Sequence, residues 1–201
     1  MCAAISQKDG ISLVKKARES LLSYFEKKEC ESLVGGVFEQ PLSLFVTINS
    51  YPKGDLRGCI GFVQTDKKLG GAIREAAVHA GINDTRFEPI RAAELEKVVF
   101  EVSVLTPPKL LECAAHERAS NIKIGRDGLM IEYGGSTGLL LPQVAIEWNF
   151  SAKDFLEALC QKAGLPKDMY KSQSPKIYTF QAQIFAEESP GGKIIGKKLI
   201  V

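Results

Sequence analysis

Leu56-Arg57-Gly58-Cys59-Ile60-Gly61 sets a guanidinium, a thiol and two glycines within one apolar, strand-like run. With a side-chain period of two, Arg57 and Cys59 share one face, and Leu56, Ile60 and Phe62 the other. A guanidinium beside a thiol favours the thiolate, and glycine lets a ligand or another backbone come close. Cys59 therefore reads either as a nucleophile or ligand-sensing thiol activated by Arg57, or as a small buried hydrophobe in a crowded strand. The spacing offers no base within reach. His79 lies beside the apolar face of a helical stretch and His116 in a polar loop, so a Cys–His dyad is the weaker pairing.

A second group of candidates lies downstream. Asp84, Arg86 and Phe87 fall in a loop, Asn83 to Pro89, whose charges are denser than a connector needs, and Glu101 interrupts an apolar strand. Arg57, Arg86, Asp84 and Glu101 read as a charged cluster lining a cleft, with the arginines forked onto a carboxylate or phosphate. They read equally as a buried ion-pair network in which Glu101 satisfies an arginine and nothing binds. The binding-cleft candidates are thus Leu56 through Gly61 with Asp84, Arg86, Phe87 and Glu101. Gly134-Gly135-Ser136-Thr137-Gly138 lacks the Gly-Lys-Ser/Thr ending of a phosphate loop and reads as a turn. The lysines of the tail, Lys193, Lys197 and Lys198, have no interleaved aromatics and give little support for nucleic-acid contact.

Positioning these residues requires a mixed set of elements. Ser6 to about Lys28 has helical spacing, with Gly10 weakening the first turn and favouring a start at Ser12. Leu44, Val46 and Ile48 alternate as a strand, Tyr51 to Asp55 turns, and the Leu56 run returns as a hairpin. Asp66 to Ala80 has a narrow face of small residues and Gly81 as its C-cap. Val98 to Leu105 reads as a buried strand ended by Pro107-Pro108. Ile122 to Ile124 and Leu129 to Tyr133 flank an Asp-Gly hairpin signal, and a second turn leads into Leu139 to Leu141.

Pro142 then opens a short helical stretch through Trp148, and a capping box at Ser151 opens a helix closed by Gly164 and Pro166. Lys176 to Ala186 reads as one strand and Gly191 to Val201 as a loose or edge-pairing tail. Hairpin signals outnumber strict alternation of strand and crossover helix. That order predicts an α+β fold with largely antiparallel sheet flanked by helices.

Composition narrows the function classes. The 201 residues, 45% hydrophobic and 25% charged, suit a soluble globular protein with one ordinary core or two lobes. A net charge of +2 without long single-sign blocks does not point to a nucleic-acid partner. No charged n-region leads into an apolar stretch and no run approaches a membrane span, so a cytoplasmic location with no membrane partner is expected. Cys2, Cys30, Cys59, Cys113 and Cys160 lie far apart without a CxxC pair, so neither a disulfide framework nor a zinc site is expected, and no motif specifies a cofactor.

The Leu56 to Gly61 hexapeptide matches the hallmark of the AMMECR domain family. The resemblance continues through Asp84 to Pro89, Glu101 to Pro108, Gly128-Leu129 and Gly138 to Ala145, nearly the whole chain. Thr85 departs from it, standing where many members have proline. The resemblance implies one AMMECR-like domain over residues 1–201 with two lobes. The larger uses both chain ends, the smaller the middle, and the hexapeptide lies near the cleft.

The resemblance also implies partners, a MEMO-like protein and a radical-SAM protein, but no particular reaction. Three functions follow in order. The first is a module placing Arg57, Cys59 and Arg86 around a small acidic ligand or a partner's acidic side chain. The second is an enzyme using Cys59 as nucleophile on a nucleotide, an RNA base or a protein, and the third is a nucleic-acid-binding or regulatory protein.

Overall fold

The computed structural model describes residues 5–63 and 65–199. Cys2 with the reading of Met1 to Ala4, and the last two residues of the expected tail, lie outside the described residues. In chain order the elements begin with α1 (Gln7–Glu26), β1 (Leu44–Ser50), β2 (Leu56–Phe62), α2 (Leu69–Val78) and β3 (Val98–Leu105). β4 (Lys109–Leu110), β5 (Gly128–Tyr133), β6 (Ser136–Leu140), α3 (Pro142–Glu147) and α4 (Ala152–Lys162) follow. The last are β7 (Lys176–Phe180), β8 (Ala182–Glu187) and β9 (Ile194–Lys197). Helices with antiparallel sheets make this the α+β fold that the sequence predicts.

The chain divides into two compact units. One comprises the residues up to Leu105 with Gln183–Lys197, and the other Thr106–Ala182 with the residues from Lys198 on. The first carries a five-stranded sheet in the order β2-β1-β3-β8-β9. β1 pairs antiparallel with β2 and with β3, and β8 with β9. Alternation along β1 buries Leu44, Val46 and Ile48 completely, and their registered neighbours Val104, Val102 and Phe100 extend that apolar face across β3. Leu13, Val14, Ala17 and Leu21 of α1 and Ala72, Ile73, Ala76 and Ala77 of α2 complete the core.

Gly10 does not delay α1. Ser6 caps the helix by accepting the Asp9 N–H at 3.1 Å, and a side chain at Gly10 would overlap the Phe185 ring. The residue is small for packing. α2 likewise ends earlier than its apolar spacing suggests. At Val78 it passes into a single π turn, His79–Asn83, and Gly81 sits inside that turn against Leu21 rather than capping the helix.

The second unit carries a four-stranded sheet, β4-β7-β5-β6, covered by α4, with Leu129, Ile131, Phe155, Leu156 and Leu159 in its core. The Ser151 box closes as expected, because Ser151 Oγ accepts the Asp154 N–H and the Asp154 carboxylate accepts the Ser151 N–H. Three local readings change. Ile122 to Ile124 forms no strand, since the Asp127 carboxylate accepts the Lys123 N–H at 2.9 Å and closes a turn instead. The glycine-rich turn is shorter, confined to Gly134-Gly135, and Gly138 lies within β6 against Ala163. The strand expected over Lys176 to Ala186 is two strands in different sheets, broken at Gln181, whose backbone N–H and C=O both bond Thr106. Among the described residues no helix is long and apolar enough to cross a membrane.

Candidate functional site

β2 is the edge strand of its sheet, so one side of its backbone has no strand partner. Cys59 stands opposite Thr47 of β1, and the Thr47 hydroxyl donates to the Cys59 sulfur at 3.3 Å. The outward-facing backbone groups of Cys59 go to the loop after the π turn. Asp84 Oδ2 accepts the Cys59 N–H at 2.9 Å, and Arg86 Nη2 donates to the Cys59 carbonyl at 3.1 Å. Asp84 and Arg86 are themselves forked together, Nε to Oδ1 at 2.9 Å and Nη2 to Oδ2 at 2.6 Å. This pair continues the hydrogen bonding that a further strand would supply and blunts the edge.

The Asp84 side chain is almost fully buried, whereas that of Arg86 is 48% exposed. The Arg86 guanidinium also lies over the Phe87 ring, 5.3 Å from its centroid. Arg86 holds the Asp84 carboxyl at about 2, assisted by the Cys59 and Arg86 N–H groups, against the opposing effect of burial. For the Cys59 thiol, burial is the largest influence and pushes it above the ordinary cysteine value. The Thr47 hydrogen bond and the Arg86 charge pull it down, while Asp84 and Glu101 push it up.

The expected pairing of Arg57 with the thiol is replaced by another arrangement. Ile48 opposes Gly58 while Asn49 opposes Leu56, so Arg57 is the extra residue of a β-bulge and the strict alternation stops there. Its guanidinium donates to the Glu88 carbonyl at 3.3 Å and pairs with Glu94 at 3.0 Å. The glycines also serve the protein's own packing. A side chain at Gly58 would overlap the Ala80 carbonyl of the π turn, and one at Gly61 the Leu44 carbonyl. Leu56 is exposed and Ile60 packs against the core.

Glu101, opposite Thr47 on the other side of β1, is buried and accepts from Lys197 Nζ of β9 at 2.6 Å. Cys59, Thr47 and Glu101 therefore occupy successive positions across three strands. Cys59, Asp84, Arg86 and Phe87 converge on the β2 edge, Arg57 is held by the same loop through Glu88, and Glu101 joins through Thr47. Sequence reading missed Thr47, Glu94 and Lys197. The first carried a signal, since a hydroxyl on the strand preceding a hairpin falls opposite the returning thiol once the turn is counted.

The comparisons with known proteins cover almost the whole chain. Protein MJ0810 of Methanocaldococcus jannaschii is 43% identical over 198 residues, which are 98% of each chain. A protein of Methanocella arvoryzae is 44% identical over 97% of this chain and 99% of its own. The crystal structure of the uncharacterised protein PH0010 from Pyrococcus horikoshii superposes with a TM-score of 0.93 at 42% identity, covering 97% of this chain and 99% of that one. With the AMMECR1 family model matching residues 14–185, the chain belongs to the AMMECR1 family.

Proposed function

We propose that this chain is a docking module, with the β2 edge and the Arg86–Phe87 pair receiving an acidic group of a partner protein. The observation that carries this reading is the Arg86 guanidinium, fixed by Asp84 and the Cys59 carbonyl yet half exposed. Its Nη1 makes no hydrogen bond to the described residues, which leaves a pre-oriented donor facing solvent. The raised thiol favours docking over nucleophilic attack by Cys59, because burial keeps the sulfur protonated at neutral pH.

The family resemblance names the partners to try, a MEMO-like and a radical-SAM protein. Calorimetric titration of each against wild type and Arg86→Lys tests the reading. Association is expected with wild type and a loss of about tenfold or more with lysine, which keeps the charge but lacks the fork. Equal affinities would remove Arg86 from the interface, and no association with either partner would overturn the docking reading.

A further inference from the structure

A cavity of about 570 Å³ lies in the first unit, away from the β2 edge, between one face of α1 and one face of α2. Ser20, Ser23 and Tyr24 line it from α1 at helical spacing, Gly71 and Arg74 from α2, and His79 from the start of the π turn. The segment after α1 forms a third wall. It passes over α2 where Gly70 leaves no room for a side chain beneath the Leu33 carbonyl. Gly71 keeps the floor open, since a side-chain carbon placed there would first meet Ser32 Oγ, at 3.9 Å.

Arg74 is the unexplained group in this cavity. Its Nη1 donates to Ser32 Oγ at 3.2 Å, its Nε is buried without a partner, and no carboxylate among the described residues pairs with it. A partly buried guanidinium ordinarily has an anionic partner. The adjacent Glu75 does not serve, because Lys67 Nζ engages both of its oxygens, at 2.6 and 2.5 Å. Glu29 is an exposed residue of the lining, and Lys28, also in the lining, adds a cation that pairs outward with Glu26 at 2.8 Å. The volume exceeds what a few waters need and falls in the range of small-ligand pockets.

We infer that this cavity binds a small molecule through an oxyanion, a carboxylate or a phosphate, taken by the open side of the Arg74 fork. Hydroxyls of Ser23 and Tyr24 and the His79 imidazole supply further polar contacts around it. The site does not depend on Cys59 or Arg86.

Amide chemical-shift mapping of the full chain, titrated separately with inorganic phosphate and with acetate at constant ionic strength, tests the inference. Saturable shifts confined to residues 20–30 and 71–79 are expected with one probe or both, and the probe that saturates at lower concentration identifies the class. Arg74→Gln should weaken that binding about tenfold or more, with Lys109→Gln as an unchanged control. Absence of saturable shifts in the wild type overturns the inference whatever the variant does, as does equal binding by a folded Arg74→Gln protein.

Discussion

At the scale of single residues, Asp84 holds the edge together, because one buried carboxylate bonds the Cys59 N–H and the Arg86 fork at once. Its folded value of about 2 lies below the roughly 3.9 of an unfolded aspartate, so its stabilising contribution is complete above about pH 4. It is lost as pH falls from about 4 through about 2. Urea unfolding across that window should show wild type losing stability more steeply than Asp84→Asn. At neutral pH the asparagine variant should be weaker by about 1–3 kcal/mol, since Arg86 then lacks its charged partner. Identical acid profiles would contradict this role. The sequence made Asp84 and Arg86 visible through charge density in a short loop. It hid their target, because a backbone N–H at a strand edge leaves no residue-type signature.

At the scale of elements, two glycines, Gly58 on β2 and Gly71 on α2, should behave oppositely. Gly58→Ala drives a methyl into the Ala80 carbonyl of the π turn and should cost about 1–3 kcal/mol in thermal or urea unfolding. Gly71→Ala, inside α2 where the added methyl would first meet Ser32 Oγ at 3.9 Å, should be neutral or stabilising by up to about 1 kcal/mol. Equal effects would mean that helix propensity and not the π-turn contact decides. Periodicity found α1, β1 and α4 because each buries a regular face, while β3 was legible as an apolar run buried on both faces and β2 as the return of a hairpin. It failed where a specific bond overrides the period. Gln181 carries an unbroken alternation but gives both backbone groups to Thr106, which separates β7 from β8. The bulge at Arg57 is invisible because it falls one residue inside β2, leaving only Leu56 before it to reveal the shift in phase.

At the scale of the whole molecule, the chain's end returns to complete the sheet that its first half began. Glu187 on β8 is buried and accepts Arg18 of α1 at 2.6 and 2.5 Å together with the Phe100 N–H of β3 at 3.0 Å. Glu187→Ala strands a partly buried guanidinium and should destabilise the first unit by about 3–5 kcal/mol, read by hydrogen exchange of β1 and β3 amides. Protection in those strands unchanged from wild type would contradict that assignment. The same sheet holds Cys59 at its edge, and docking, carried by the half-exposed Arg86 fork, is preferred to catalysis because burial raises that thiol rather than poising it for attack. The most direct test is the rate of Cys59 alkylation against pH, followed by mass spectrometry in the folded protein. The rate should keep rising through and beyond the ordinary cysteine value of about 8.5. A rate that levels off near neutrality would identify a thiolate nucleophile and contradict the docking account.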